Sequence, residues 1–452
     1  MVVNKKIGNF IVQNRIIILI ILLTFFASLI YSFYFKIKPL VDAKAYDKIA
    51  VNIVNGNGYR EDLSVDIQHD YAIARVGPLY EYFLAGIYKI FGHHFEVVWV
   101  IQAILRAVSV WLLYLTALII FRFNQNKNNI AILAAAIFGF YPDLIEISAM
   151  LMTETLYLFF LSLMIYLFFR FFESMNRGQS VLLGFVSTLA ILARPPIIFF
   201  LPIIFWRYFQ KKKLFSALLF CFTILLVLAP WTIRNYTVYD RFMPLGAAGS
   251  FNFWIGNYHG GGGEQEPREE HYSFAKNNEV REINQESMKQ FKSFLFSYPG
   301  EFFKLTFLRI NKYFSVLRPM GFWFYQTGLG QLLFVASSAA ASIFLFIFGL
   351  AGLIKAIKQK SILFNYVVAF TLITPLIIFV TVVETRYRFQ IYPFLALFSG
   401  YLFFVLKEKK GWWKNKELLI AFCFVLLNAV VDLFLSWDKF GQKLAPYIKH
   451  LL

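Results

Sequence analysis

Long apolar stretches alternate with short polar segments along most of the chain, and clusters of Lys and Arg separate many of the stretches. A helix needs about 20 apolar residues to cross a bilayer, and basic loops stay preferentially on the cytoplasmic side. These two rules predict an all-α polytopic membrane protein, one integral membrane unit over residues 1–452, with the N-terminus inside and the C-terminus outside. The predicted spans number about eleven: 16–35, 97–121, 129–141, 147–169, 181–193, 197–205, 214–231, 328–354, 362–383, 389–406 and 418–435.

Two of these stretches, 181–193 and 197–205, are shorter than a normal span. Basic residues flank the pair at both ends, which favours two short passes that meet at Arg194-Pro-Pro196 over one kinked helix. The C-terminal part, residues 407–452, is predicted to hold a basic loop, the last span and a tail. The topology of this last span is the least determined, because three lysines fall on its predicted outer side.

Two segments between spans are long. The first outer loop, residues 36–96, contains two stretches of mixed polarity, 43–55 and 78–91, which are too short to span and are predicted to lie along the membrane surface. The large outer loop, residues 232–327, carries a helical pattern that is broken at residues 298–300. It predicts a helical cap on the outer face.

Composition agrees with this class, since 59% of the residues are hydrophobic and only 15% are charged, against about 25% charged in soluble domains. The net charge of +18 does not indicate nucleic acid as a partner, because most basic residues lie in short clusters between apolar runs. Cys221 and Cys423 both fall inside apolar runs, so no structural disulfide is expected. No Cys/His spacing typical of a metal site is present.

The candidate chemistry begins with Asp42, which follows the first span and so lies at the membrane–water boundary. Arg194, Arg234 and Arg386 return to the same level later in the chain. One carboxylate facing several guanidinium groups suits a reaction on an anionic, lipid-linked substrate, because arginine binds phosphate well. The alternative for Asp42 is a purely structural role as the N-cap of the helix that begins near Ala43.

Seven short motifs follow one another in the part of the chain up to about residue 406. They are Asp42-Ala-Lys-Ala-Tyr46, Asn55-Gly-Asn-Gly-Tyr59, Arg75-Val-Gly-Pro-Leu-Tyr80, Met152-Thr-Glu154-Thr155, Pro230-Trp-Thr-Ile-Arg234-Asn235-Tyr236, Ile255-Gly-Asn257 and Glu384-Thr-Arg386-Tyr387-Arg388. In this order they resemble the membrane glycosyltransferases of the GT-C superfamily. Within it, the chain is most similar to the branch of the protein O-mannosyltransferases and the aminoarabinose transferases of lipid A.

The resemblance implies a GT-C-like helical bundle and a multi-pass protein of the plasma (inner) membrane. Such enzymes transfer one sugar from a polyprenyl-phosphate carrier to an acceptor hydroxyl on the non-cytoplasmic face, usually with inversion. The acceptor is a lipid, a glycan such as lipopolysaccharide, or a protein. No cofactor is expected: many relatives have a second acidic residue directly after the catalytic Asp, but here that residue is Ala43, so a divalent metal is not supported.

The resemblance also implies roles for individual residues. Asp42 is expected to be the general base, and Arg75, Arg234 and Arg386 are expected to hold the carrier phosphate. Membrane lipids, the lipid-linked donor and the acceptor are the expected partners. The full set of expected substrate-binding residues is Tyr46, Arg75, Glu154, Arg194, Arg234, Asn235, Asn257, Arg386 and Tyr387.

Two other functions remain open on the sequence alone. A polytopic transporter or flippase of lipid-linked saccharide would also use arginines for an anionic lipid. Transporters often show internal repeats and charged groups near the midplane, whereas this chain shows no repeat, collects its charges on one face and has a long first outer loop. These features favour an enzyme. A polymerase or ligase of surface polysaccharide shares the lipid-linked donor and differs only in its product.

Overall fold

The computed structural model of the protein describes residues 2–75, 77–317, 328–407 and 415–437. Three 3-10 helices, Tyr71–Ala74, Pro195–Phe200 and Thr385–Ile391, connect longer elements. These described residues contain no strand, so the predicted all-α class is confirmed. The α-helices are α1 (Val2–Phe35), α2 (Asp42–Val54), α3 (Leu79–Phe91), α4 (Phe95–Ile120), α5 (Lys127–Gly139), α6 (Pro142–Ser148), α7 (Thr153–Arg170), α8 (Arg177–Ala193), α9 (Leu201–Gln210), α10 (Leu214–Tyr239), α11 (Ala248–Gly256), α12 (Glu269–Asn277), α13 (Val280–Ser297), α14 (Pro299–Phe314), α15 (Gly328–Ile357), α16 (Ile362–Ile373), α17 (Leu376–Val380), α18 (Tyr392–Lys407) and α19 (Lys416–Leu435).

Eight segments of the described chain are long and apolar enough to cross a membrane. They are α1, α4, α7, α10, α15, α16 with α17, α18 with the 3-10 helix before it, and α19. A ninth is obtained if α5 and α6, which are bent by 56° relative to each other, form one broken span. The multi-span prediction is therefore confirmed, whereas the number of eleven is not.

The bend between α5 and α6 corrects the predicted boundaries of the third and fourth spans. Pro142 begins α6, and Tyr141 before it is extended (φ −67°, ψ 119°). A residue that precedes proline is sterically driven out of the α region, and proline cannot donate to the preceding turn. The helix therefore stops at Gly139 and restarts in a new direction.

Helix α18 lies at the centre of the bundle, and every residue of Tyr392–Gly400 is buried. In the span that contains α18, 83% of an 18-residue apolar stretch is buried inside the protein, compared with 22% of the corresponding stretch in α19. Close packing of α15 on α18 depends on glycine: a Cβ atom on Gly352 would lie 2.2 Å from the carbonyl oxygen of Phe398. Small residues of this kind let membrane helices approach closely.

The two long segments between spans contain the helices that the sequence predicts. α2 and α3 match the two short stretches of the first outer loop, and α11 to α14 form the cap. The predicted break at residues 298–300 is also present, because α13 ends at Ser297 and α14 begins at Pro299. A proline in the first turn of a helix is favourable, since its missing N–H has no partner there in any case.

The break at Arg194 is confirmed as well. α8 ends at Ala193, Arg194 is extended (φ −149°, ψ 111°), and the 3-10 helix and α9 follow. That α8 and α9 make two separate passes stays a prediction. The end of the large outer loop, the C-terminal basic cluster and the tail lysines lie in residues 318–327, 408–414 and 438–452, outside the described residues, as does Val76.

Candidate active site

Asp42 is held between two arginines from distant parts of the chain. Its Oδ1 accepts a hydrogen bond from Nη1 of Arg75 at 3.2 Å, and its Oδ2 accepts one from Nη2 of Arg386 at 2.7 Å. Asp42 is the first residue of α2, whereas the N-cap position belongs to Val41, and no side chain caps that helix end. The carboxylate is therefore directed at the guanidinium groups, and the alternative of a purely capping role is wrong.

The charge state of Asp42 follows from these contacts. Burial by itself raises the pKa of this carboxyl, but the charge of Arg386, its hydrogen bond, and the charges of Arg75 and Arg194 outweigh burial and hold the pKa below its usual value of 3.8. The side chain is therefore a carboxylate at neutral pH. It can accept a proton only from a group that becomes strongly acidic, such as a hydroxyl during bond formation.

Arg75 follows the 3-10 helix Tyr71–Ala74, whose N-terminus is capped by the Asp70 side chain. Its Nε and Nη2 atoms donate to Oε2 and Oε1 of Glu61 at 2.9 and 2.7 Å. This two-bond geometry fixes the plane of the guanidinium. Gly77 then packs directly on α8. A Cβ atom added to this glycine would lie only 2.2 Å from the carbonyl oxygen of Leu192, so a larger residue would clash there.

Arg386 and Arg194 share a second carboxylate. Nη2 of Arg194 donates to Oε1 of Glu154 at 2.5 Å, and Nε of Arg386 lies 4.0 Å from the same oxygen. Nε of Arg386 also donates to Oε2 of Glu384 at 2.8 Å. Glu154 is fully buried, and these two guanidinium groups are its charged partners.

Tyrosines complete the site. Tyr46 lies one turn after Asp42 on the same face of α2 and is buried edge-on against Tyr80, with ring centroids 5.6 Å apart. The guanidinium of Arg194 lies over the ring of Tyr387, 5.5 Å from its centroid. The structure thus brings together six of the predicted residues around Asp42: Arg75, Tyr46, Glu154, Arg194, Arg386 and Tyr387.

The other three predicted residues make different contacts among the described residues. Arg234 donates to the carbonyl oxygen of Tyr59 at 3.1 Å and lies against aromatic rings. The amide of Asn235 donates to the carbonyl oxygen of Met243 at 2.8 Å. The amide of Asn257 donates to two backbone carbonyls and accepts from Arg309. These bonds tie helix ends to loops, so a substrate-binding role for these residues stays a prediction.

Two cavities adjoin the charged residues. The carboxylate cavity, of about 600 Å³, is lined by Lys36, Lys38, Asp42, Glu384 and Arg386 together with apolar side chains. The apolar cavity, of about 450 Å³, has Arg194 and Tyr387 in its lining and is otherwise lined mostly by apolar residues such as Phe199, Ile377, Ile378 and Met288. Consecutive residues line the two cavities, since Arg386 lines the first and Tyr387 lines the second.

Comparison with known proteins shows which family model and which solved structures this chain resembles. Residues 75–233 match the family model described as dolichyl-phosphate-mannose-protein mannosyltransferase. Among solved structures, the oligosaccharyltransferase of Archaeoglobus fulgidus in its apo form matches with a TM-score of 0.53 and 13% identity, over 92% of this chain and 55% of that chain. The chain has the GT-C fold.

Two other structures of that archaeal enzyme give the same result. The form tethered to an acceptor peptide containing the NVT sequon has a TM-score of 0.50, and the complex with an inhibitory peptide and a dolichol-phosphate has 0.51, each at 13% identity over 93% of this chain and 55% of that chain. This chain therefore spans about half the length of those proteins. None of the curated protein sequences matches it significantly. The resemblance to GT-C glycosyltransferases that the motifs predict is confirmed.

A divalent metal does not fit the residues around Asp42. Both oxygens of Asp42 accept from guanidinium groups, and the next residue, Ala43, offers no ligand. The described residues contain no group of three or more His, Cys, Asp or Glu side chains placed to hold a metal ion. Positive charge at this site is supplied by arginine.

Sequence reasoning missed Glu61, which lies in an irregular loop and pairs with an arginine 14 positions later. It also gave no role to Glu384, although that residue directly precedes the Arg386-Tyr387 pair. A third omission is Glu81 in α3, whose carboxyl is fully buried. Burial raises the pKa of Glu81 to about 8, and the only sequence signal is an acidic residue within an otherwise apolar and aromatic stretch.

Proposed function

We propose that this protein is a membrane glycosyltransferase that moves one sugar from a polyprenyl-phosphate carrier to an acceptor hydroxyl, with Asp42 as the general base. The observation that carries the proposal is the position of Asp42 between two guanidinium groups in the wall of the carboxylate cavity. Arg386 lines the same cavity, and the next residue, Tyr387, lines the apolar cavity. The match of residues 75–233 to a mannosyltransferase family and the GT-C fold support the same class.

The donor is assigned to the apolar cavity. A polyprenyl tail needs an apolar channel, and its phosphate needs cations at the end of that channel. Arg194 lines this cavity and uses Nη2 and Nε for Glu154 and Thr153. In the described residues its Nη1 carries no hydrogen bond, which leaves that atom for a phosphate oxygen. Arg386 is the second cation close to the same point.

This assignment refines the three arginines expected to hold the phosphate. Arg386 keeps that role. Arg75 is bound by Glu61 through two hydrogen bonds and by Asp42 through a third, which suits a residue that positions the base. Arg234 lines neither cavity and interacts with Tyr59. Arg194, expected only as a substrate-binding residue, becomes the main phosphate ligand in this proposal.

The acceptor is assigned to the carboxylate cavity, where its hydroxyl meets Asp42. In the transfer step the acceptor oxygen forms a bond to the anomeric carbon, and the bond from that carbon to the phosphate oxygen breaks. The hydroxyl proton goes to Asp42, and the phosphate leaves with the electron pair. Arginines stabilise the growing charge on the phosphate. Base and leaving group act from opposite sides of the sugar, so the configuration inverts.

The proposal places the protein in the plasma membrane, with the site on the non-cytoplasmic face and a cell-envelope lipid, glycan or protein as the acceptor. The test is turnover of a panel of polyprenyl-phosphate sugars by purified protein, with mass analysis of products. One donor is expected to yield free polyprenyl phosphate and an acceptor heavier by one sugar, and Asp42→Asn is expected to form this product at least about a hundredfold more slowly. Movement of a lipid-linked saccharide across vesicles without any new glycosidic bond would instead identify a flippase, and repeated addition a polymerase.

A further inference from the structure

The helical cap contains a third cavity, which is separate from the two at Asp42. This cap cleft has a volume of about 410 Å³ and lies between α11, α12, α13 and Tyr298. Its size falls within the range typical of small-ligand sites. The side chains that define it here are Trp254, Tyr258, Phe274, Glu286, Gln290 and Tyr298.

Aromatic rings form much of the surface of the cap cleft. The rings of Trp254 and Phe274 meet edge to face with centroids 5.6 Å apart, and Tyr298 packs on Phe294 at 5.9 Å. Flat aromatic faces bind the C–H faces of sugar rings through dispersion and the ring quadrupole. The cap cleft therefore offers aromatic surfaces for stacking, and its lining is less apolar than that of the apolar cavity near Arg194.

Polar groups border the same rings. Glu270, Glu286 and Gln290 line the cleft with carboxylate and amide oxygens, which accept hydrogen bonds from hydroxyl groups. Oε1 of Glu286 already accepts from Nε2 of Gln290 at 2.6 Å and Oε2 from Nζ of Lys289 at 3.3 Å, so a hydroxyl would use the remaining lone pairs of these oxygens or the oxygen of Gln290. Arg268 is the cation of the cleft, but it donates to the carbonyl oxygen of His259 at 2.6 Å and lies 4.4 Å from the centroid of Tyr258. The cleft thus contains two carboxylates, which repel a phosphate, and one guanidinium, which is already hydrogen-bonded to the protein. These groups favour a neutral, hydroxyl-rich ligand.

The secondary structure around the cap cleft disfavours an extended peptide. α11, α12 and α13 satisfy their backbone groups within the helices, so they provide no strand edge to which a peptide could pair. This arrangement suits a ligand that is recognised through hydroxyl groups and ring faces.

Helix α12 connects the cap cleft with the site at Asp42. Glu270 and Phe274, one turn apart, line the cap cleft, whereas Tyr272 between them lines the carboxylate cavity. Residues at i and i+4 share one face of a helix and residue i+2 points to the other. The two cavities thus lie on opposite sides of one helix, separated by about 10–12 Å, the diameter of a helix with its side chains.

We propose that the cap cleft binds a neutral oligosaccharide of hexose or N-acetylhexosamine units. A glycan acceptor that reaches over α12 would place its terminal hydroxyl at Asp42 and a more remote part in the cap cleft. Binding in the cleft stands independently, whereas this acceptor role rests on the proposed function.

The test is direct binding to the full-length protein in lipid nanodiscs. Tetrasaccharides of glucose, mannose and N-acetylglucosamine are titrated while calorimetry and tryptophan emission are recorded. At least one is expected to bind and to change the emission, and Trp254→Phe should abolish the emission change. Gln290→Ala and Glu286→Ala should each weaken binding about fivefold or more, the effect of one lost hydrogen bond.

Matched variants separate this inference from the proposed function. Lys292→Ala, an exposed residue on α13 that does not line the cleft, should bind the sugar normally, and Asp42→Asn should bind it while transferring at least about a hundredfold more slowly. Absence of binding by all three tetrasaccharides, or binding that Gln290→Ala and Trp254→Phe leave unchanged, overturns the cap-cleft assignment even if transfer occurs. Selective binding of an unglycosylated peptide in the cleft also overturns it.

Discussion

Nη2 of Arg194 and Oε1 of Glu154 form a 2.5 Å hydrogen bond in which the carboxylate is fully buried. Removing one partner of such a pair leaves an uncompensated buried charge, which destabilises a protein by roughly 3–5 kcal/mol. A loss of activity in a single variant would therefore report on folding as much as on function. Experiments on this pair have to change both residues.

The double variant Arg194→Gln/Glu154→Gln removes both charges and keeps similar volumes. If Arg194 is the phosphate ligand, affinity for polyprenyl-phosphate sugar should fall about tenfold to a hundredfold, as for a lost charge-assisted hydrogen bond of roughly 1.5–3 kcal/mol. Thermal unfolding should stay close to that of the parent. Arg281→Gln, which changes an arginine that is 44% exposed, is the control. Donor binding equal to the parent would move the phosphate elsewhere.

Asp42→Asn tests the general base. Asparagine keeps one acceptor oxygen, so it can accept a hydrogen bond from only one of the two arginines that contact Asp42. As an amide it cannot take a proton from the acceptor hydroxyl. Transfer should slow at least about a hundredfold, within the 10²–10⁴ range of general-base catalysis, while donor binding persists. The control is Asp240→Asn, whose carboxylate is 83% exposed. Turnover near the parental rate would exclude Asp42 as the base.

Arg386→Gln tests the electrostatic role of this arginine through the pH profile. In the parent the pKa of Asp42 lies below its usual value because of Arg386, so Asp42 should remain ionised and contribute no acidic limb between about pH 5 and 8. Without that guanidinium the effect of burial raises the pKa, and the rate of the variant should fall as the pH is lowered toward 5. A flat profile for the variant would show that Arg386 does not control this carboxylate.

Glu81→Gln should change how stability depends on pH. Burial raises the pKa of Glu81 to about 8 from an ordinary 4.5, so between those values the folded state keeps a proton that the unfolded state has lost. The free energy of unfolding of the parent therefore decreases as the pH rises through this window. The variant should lose this contribution and be more stable than the parent at pH 8 but not at pH 5. Exposed Glu96→Gln is the control, and thermal unfolding is the measurement.

Thiol labelling tests the orientation in the membrane. After Cys221 and Cys423 are replaced by serine, single cysteines at Asn57 and Gly262 should react with an impermeant reagent applied to intact cells. A cysteine at Lys213, in the basic turn between α9 and α10, should react only after the cells are opened. Reaction of position 213 in intact cells would reverse the predicted topology around Arg194 and place the site on the cytoplasmic face.

The parts of the structure that could be predicted from the sequence depend on local signals. Apolar stretches and the basic turns between them predicted most helices, and the proline pair predicted the break at Arg194. These features determine local structure within a few residues, so they can be read from the sequence. The sequence ended one predicted span at residue 141 and began the next at residue 147, so it did not predict the short helix α6, Pro142–Ser148, that lies between α5 and α7.

Contacts between distant residues had no such signal. Asp42 and Arg386 are 344 positions apart. The predicted topology placed both at the same membrane boundary and the motif resemblance gave both a role, but neither predicted the hydrogen bond between them. Glu61 belongs to no motif, so its two bonds to Arg75 were invisible. Conversely, Asn235 and Asn257 belong to motifs, yet their amides hydrogen-bond backbone carbonyls. A motif preserves residues needed for architecture together with residues needed for chemistry, and the sequence alone cannot separate them.

Gly77 has a consequence for attempts to recombine this protein with its relatives. Because of this glycine, the segment after Arg75 packs directly on the α8 backbone at Leu192, two residues before Arg194. The positions of Arg75 and Arg194 are therefore coupled through one close backbone contact, although the two residues are far apart in sequence. Grafting a foreign first outer loop alone would bring a new segment onto an unchanged α8 end. A functional chimera should therefore require exchange of residues 36–96 together with the end of α8, as a discontinuous module.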